Sequence, residues 1–352
     1  MSNSKTSLGQ KMHFWREDLS DNLNGGSALK VGLVLLTIYL LLAVVLGIYW
    51  SRSPELFSVT DEAEALADAQ DRQVVTGTTT TAAAVGVADR ILSKPGGYLR
   101  NDKFPPGLWL DNTPAWEYGA LIQLRDLSKA MREGYSRSKS QSTEDLDLSN
   151  AEPRFNFKAD SWILPSTESV YFEGKDLLLA YHLRLADPQA PQGQFYARAD
   201  NLRYWLGMVS SRLGSLSQRL SASVGQKRVN IDLAGDAQAT QSTPTRKNQY
   251  TKTPWLKIDD VFYEARGTTW ALIHFLRAVE VDFAEVLQDK NAAASVRQII
   301  QELEKTQDPV YSPLILNGGG FGMMANHSLV MASYISRANA GLIDLRALLT
   351  QG

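Results

Sequence analysis

The sequence predicts a mainly α protein: a single N-terminal transmembrane helix, then a multi-helix bundle with long antiparallel helices. Three observations carry this. Val31 to Trp50 is a run of twenty residues without a charge, set between Lys30 and Arg52. Apolar residues recur at helical spacing along three later segments. Hydrophobic residues make up 44% of the 352, enough for a sizeable core in one large domain or two ordinary ones.

The apolar run comes first in the chain. At ~1.5 Å per residue, twenty helical residues cover the ~30 Å hydrocarbon core of a bilayer. Tyr49 and Trp50 stand at its far end, where rings with one polar edge favour the headgroup layer. A cleaved leader carries only ~7–15 apolar residues before a small-residue cleavage site. Here the run is longer and YWSRSPELF follows it, so it reads as an uncleaved anchor with the lipid bilayer as its first partner. Lys5, Lys11, Arg16 and Lys30 precede the run, against Arg52 and Arg72 in the thirty residues after it. That excess places residues 1–30 in the cytoplasm as a short tail and the bulk of the chain across the membrane. HFWREDLSDNL (13–23) in that tail is able to lie on the membrane surface. In a Gram-negative bacterium the expected location is the inner membrane, with the bulk in the periplasm.

Residues 51–87 carry acidic DEAEALADAQ and then TGTTTTAAAVG. The first piece can form a short helix, whereas the second has little to bury, so the stretch is expected to be a stalk or linker. A compact helical domain is expected over 88–352. Phe195, Ala199, Leu202, Leu206, Val209, Leu213, Leu216 and Leu220 follow an uninterrupted 3.5-residue repeat, the seam of long helices packed side by side. A second stripe runs Met331, Ile335, Ala338, Leu342, Leu345 and Leu349, and a third runs Leu272, Leu276, Val279, Phe283 and Val286. Weaker patterns cover 115–133, 167–186 and 291–305. Six helices in one chain can bury one another's stripes; the 195–220 seam could instead serve a homo-oligomer. Polar loops 136–153 and 225–254 separate the helices, and loops of that length are either functional or disordered.

Composition removes several function classes. The net charge is −2, and residues 51–352 hold 32 Lys and Arg against 35 Asp and Glu. No basic stripe suits nucleic acid. The absence of cysteine removes disulfides, thiolate chemistry, iron–sulfur clusters and cysteine-bound zinc. His13, His182, His274 and His327 are scattered, with no HExxH, and His182 and His274 sit on apolar stretches as core histidines. LILNGGGFGMMANHSLV (314–330) imitates a nucleotide loop through Gly320, Gly322 and Ala325. Asp344, at the offset of a ribose-binding acid, falls inside a helical stripe. No βαβ unit fits in the thirty residues after Gly322, and no lysine follows the glycines. The glycines read as a turn into a helix headed by Asn326 or Ser328, a terminus that could also take a small anion or a polar head group. No cofactor is expected.

The least ordinary segment is GGYLRNDKFPPGLWLDNTPAWEYG (96–119), a non-helical run of glycine, proline, aromatic and acidic residues. Trp109 and Trp116 offer flat apolar faces with a polar edge, suited to a sugar, a peptide or a protein partner. Asp111 and Glu117 could act as a carboxylate pair on a glycoside, if ~5–10 Å apart. The alternative is a loop whose rings cap the bundle. Farther on, Arg277 and Glu280 are spaced i,i+3 and able to pair.

PPGLWLDNTPAWEYGALIQLRDL, SRSKSQSTEDLDL, QFYARADNLRYWLGMVSSRLGSLSQRLSASVGQ and TPWLKIDDVFYEARGTTWALIHFLRAVEVDF together resemble a bacterial family known as domain of unknown function 2333. The resemblance spans most of 90–350, with the membrane span in the same place. It implies a single-pass envelope protein of Gram-negative bacteria, and no activity or catalytic residues come with it. The expectation is a non-catalytic inner-membrane scaffold or adaptor that meets another envelope protein. The alternatives are a periplasmic ligand-binding or sensing domain built on 96–119, and a cell-wall hydrolase using Asp111 and Glu117.

Overall fold

The structure is a computed structural model that describes residues 25–69, 71–138, 142–190, 192–229, 248–312, 314–318 and 322–351. Most of the expected cytoplasmic tail, the centre of the 225–254 loop (230–247), residues 139–141 of the first polar loop and residues 319–321 of the glycine turn lie outside the described residues. The chain divides into two units, Met1–Trp50 and Ser51–Gly352.

The first unit contains α1 (Gly25–Trp50). Among the described residues it is the one helix long and apolar enough to cross a membrane. Its leucines, isoleucines and valines are largely exposed, whereas the core helix of a soluble protein buries such side chains. Thr37 returns its hydroxyl to the Leu33 carbonyl at 2.8 Å, which satisfies it within the helix.

In the second unit the chain runs through α2 (Val59–Asp68), α3 (Thr78–Ser93), α4 (Asn112–Ala130), α5 (Leu146–Phe155), α6 (Thr167–Leu185) and α7 (Ala199–Ser221). An antiparallel ribbon, β1 (Gln226–Val229) and β2 (Asn248–Thr251), follows. The chain ends with α8 (Ile258–Asp282), α9 (Ala284–Asp289), α10 (Ala293–Glu304) and α11 (His327–Leu348). One hydrophobic core runs through this unit. Leu202, Leu206, Val209, Leu213, Leu216 and Leu220 are all buried, and α7 packs along α11 and beside α4. The seam that could have served an oligomer is therefore filled within the chain. The widest helix contact joins α4 to α8. There Gly119 lies against the backbone of Glu264, and Gly267 against that of Trp116.

Residues 51–87 are not a stalk. The segment Thr78–Ala88 is buried throughout, with α3 packed on α6 and α8. Small side chains, which looked like too little to bury, are what let this helix approach its neighbours closely. Its polar groups are satisfied locally and at long range. Thr81 Oγ1 donates to the Gly77 carbonyl at 2.7 Å. Asp282, at the end of α8, accepts from Gly77 N at 2.9 Å and from both Thr80 N and Thr80 Oγ1 at 2.6 Å. A carboxylate thus meets the positive end of the α3 dipole. Burial pushes the Asp282 carboxyl up, and these hydrogen bonds pull it back. Farther upstream, Trp270 Nε1 donates to Glu55 O, and Phe57 N donates to His274 Nε2 at 3.0 Å.

Three smaller expectations are also corrected. The 96–119 segment becomes helical at Asn112, because Asp111 caps α4 by accepting from Asn112 N. Pro114 falls in the first turn, where its missing N–H costs no helix bond. The loop 136–153 already contains the start of α5, headed by Asp145. Arg277 and Glu280 do not pair with each other. Arg277 reaches Glu304 at 2.7 Å and Glu280 reaches Arg297 at 2.5 Å, so both charges tie α8 to the α10 segment. The turn before α11 is headed by Asn326, whose side chain accepts from Leu329 N at 3.3 Å.

His182 on α6 is buried, and among the described residues neither ring nitrogen has a hydrogen-bond partner. Burial lowers its pKa to about 4. A group whose folded pKa is depressed below the unfolded value near 6.5 contributes stability above that value and loses it as pH falls. His182→Leu should therefore gain on the wild type by about 1.4 kcal/mol per pH unit between roughly pH 6.5 and 4. Urea unfolding of both proteins at several pH values checks this, and a constant difference would contradict it.

Candidate functional site

The four residues singled out in 96–119 do not converge on one cleft. Trp116 is wholly buried, its ring 4.9 Å from that of Trp270. Glu117 is equally buried. Its carboxylate meets Lys94 Nζ at 2.5 Å and accepts from Leu99 N at 2.9 Å and Arg100 N at 3.0 Å. Lys94 also donates to the Gly97 carbonyl. Burial raises the Glu117 carboxyl above its ordinary value; Lys94 and the two amides act in the opposite sense. This glutamate ties the 97–100 loop to α4. By contrast, Trp109 and Asp111 are exposed and line a cavity of about 250 Å³ with Ser51, Ser53 and Tyr263. An indole face and one carboxylate are available there, with the second carboxylate enclosed elsewhere.

A larger groove, about 1000 Å³, runs between α4 and α7, closed at its sides by Glu152 and Asn156 near the end of α5 and by Arg346 of α11. It exists because α4 and α7 turn their apolar stripes to the core and their intervening positions outward. Its acids are each matched by an arginine. Asp126 is held by Arg212 at 2.9 and 3.1 Å, Glu152 by Arg132 at 2.5 Å, and Asp200 by Arg198 at 2.8 Å. The Arg198 hydrogen bond holds the Asp200 carboxyl below its usual range. Arg125 is committed to the carbonyls of Phe155 and Phe157 and to the Tyr171 hydroxyl.

Three cations lining the groove remain, Lys129, Arg203 and Arg346. Among the described residues none of them makes a direct hydrogen bond or ion pair, although Lys129 lies near enough to Glu152 to lower that carboxyl. The Arg346 guanidinium lies over Gly207 of α7, where a side chain would crowd it, and its Nε is buried without an acceptor. Tyr204 lines the same groove, its hydroxyl donating to Glu133 at 2.6 Å; burial and that carboxylate push its pKa up to about 12. Three cations free of direct bonds among the described residues, around an open groove, suit carboxylates or phosphates.

A family model described as an uncharacterised protein conserved in bacteria (DUF2333) matches residues 23–352. The chain belongs to this family. No curated protein and no solved structure matches it. In this DUF2333 chain no group of three or more His, Asp or Glu side chains among the described residues is placed to hold a metal ion. Sequence reasoning did not reach Lys129, Arg203 or Arg346. They stand on three helices far apart in the chain, and each alone looks like a solvated charge. The one legible signal was that each falls outside an apolar stripe.

Proposed function

We propose that this DUF2333 chain is a non-catalytic single-pass inner-membrane protein whose periplasmic domain is an adaptor. It seats an acidic segment of another envelope protein in the groove between α4 and α7. The observation that carries the reading is the set of cations without a direct bond among the described residues, Lys129, Arg203 and Arg346, in a domain that is otherwise slightly acidic. Small ligands favour enclosed, mostly apolar pockets, whereas this groove is open and lined by five cationic and three acidic side chains. The orientation rests on the Lys and Arg excess before α1. Trp116 and Glu117 face the interior, which weakens both the sensing and the hydrolase readings of 96–119.

A photoreactive residue in place of Tyr204, in the full-length protein in living cells, tests this. One reproducible protein adduct is expected. Lys129→Glu with Arg346→Glu should reduce it about tenfold or more, since like charges across an interface oppose docking. Because neither cation makes a direct bond among the described residues, folding stability should change by no more than about 1 kcal/mol. An adduct indifferent to charge reversal would overturn the groove as the docking site. A partner found in the cytoplasm would overturn the orientation.

A further inference from the structure

A second surface is unlike the groove. Phe104, Leu108 and Trp109 on one loop, and Trp162, Ile163 and Leu164 on another, all turn outward, with Leu164 90% exposed. The Phe104 and Trp162 rings meet edge-on at 5.8 Å, so the two loops form one rim. Buried Asn101 locks them together, its Nδ2 donating to Ser161 O at 2.8 Å and to Glu168 at 2.7 Å. Trp255 and Leu256, the latter 78% exposed, extend the rim. Their neighbour Lys257 lines a cavity with Asp111 and Asp160 from the other two loops. Eight large apolar side chains facing water around one edge are more than scattered surface hydrophobics, and a patch of this kind marks an interaction site.

The occupant follows from where the chain enters this unit. Ser51 and Ser53 line the cavity that Trp109 lines, and they come one and three residues after the last residue of α1. At about 3.5 Å per residue the intervening chain is no longer than roughly 10 Å. If α1 spans the bilayer, as the proposed function holds, this rim is tethered at the lipid headgroups. We propose that the rim is a membrane-surface contact: its tryptophan, phenylalanine and aliphatic side chains enter the headgroup–acyl boundary and fix the domain's orientation on the bilayer. Indole and phenyl rings with aliphatic neighbours are the side chains that such boundaries accept. The charges in and beside the two loops, Arg100, Lys103 and Lys158 against Asp102, Asp111 and Asp160, balance, so the contact depends on apolar burial and needs no anionic lipid.

The chain has no cysteine, which makes site-directed spin labelling direct. Ile163→Cys, Leu256→Cys, Leu42→Cys in α1 and Gln298→Cys on α10 are labelled singly in the full chain, reconstituted in phosphatidylcholine vesicles. The readout is accessibility to oxygen relative to a water-soluble nickel complex. Positions 163 and 256 should show a ratio several-fold above that of position 298, unchanged in high salt. Ratios at 163 and 256 equal to that at 298 would overturn the rim as a lipid contact. Leu42 reports separately on the anchor: an aqueous ratio there overturns the spanning reading, whatever the rim does.

Discussion

Gly267→Ala is expected to destabilise the 51–352 unit by about 3 kcal/mol or more, at the upper end of the overpacking range. A Cβ on Gly267 would stand 1.9 Å from the Trp116 carbonyl oxygen, and one on Gly119 would stand 2.0 Å from that of Glu264. Both obstacles are backbone atoms that cannot rotate away, so α4 and α8 must separate. That loosens the widest helix contact in the unit and the Trp116–Trp270 packing beside it. The same methyl at Gly214 on α7 would meet only Asn339 Nδ2, at 3.6 Å. There the alanine should instead stabilise, by up to about 1 kcal/mol, because glycine costs more backbone entropy in a helix. Urea midpoints of the two variants should move in opposite directions. Equal midpoints would show that the α4–α8 crossing is not as close as described.

Lys94→Met should cost about 3–5 kcal/mol, the range for removing one member of a buried ion pair. Glu117 would then either hold an uncompensated charge in the interior, with the Leu99 and Arg100 amides to meet it, or take up a proton and lose their charge-assisted hydrogen bonds. Glu117→Gln should cost a similar amount, because it leaves the buried Lys94 ammonium without a counter-charge and with the uncharged Gly97 carbonyl as its remaining acceptor. The double variant should lose less than the sum of the two, by about 1–3 kcal/mol, the usual coupling between residues in contact. Strict additivity would mean that the pair is not formed. Asp111→Asn, at the exposed end of the same segment, should leave the unfolding midpoint within about 0.5 kcal/mol of the wild type. Loss of a cellular phenotype in Glu117→Gln should therefore track loss of folded protein rather than loss of a chemical step.

These two sites show where sequence reading succeeded and where it stopped. Glu117 was noticed because an acid stood in an aromatic, proline-rich run, but the same residue type serves a catalytic cleft or a buried clamp. Only the position of Lys94, 23 residues upstream, distinguishes the two. Gly267 drew no attention, since a single glycine in a helical stripe gives no sign of how near a neighbouring backbone will pass. The threonine and alanine run of α3 was misread for a related reason. Hydrophobicity measures how strongly a side chain avoids water, whereas a helix of small residues is buried by its capacity for close approach. The groove cations were invisible because their common property, lacking a direct bond among the described residues, depends on where every other charge has gone.

What the sequence determined by itself was whatever recurs over short stretches: the uncharged run of α1, the stripe along α7, and a cap for α11 narrowed to Asn326 or Ser328. Water avoidance, helical pitch and capping act on neighbouring residues, so their pattern is written in local spacing. Tertiary structure decided which stripe faces which. It set Asp282 at the start of α3, sent Arg277 and Glu280 to α10, shut Trp116 and Glu117 inside, and left Lys129, Arg203 and Arg346 around an open groove. Those outcomes depend on how helices interlock across tens or hundreds of residues, and that is settled by shape and by the choice among competing partners.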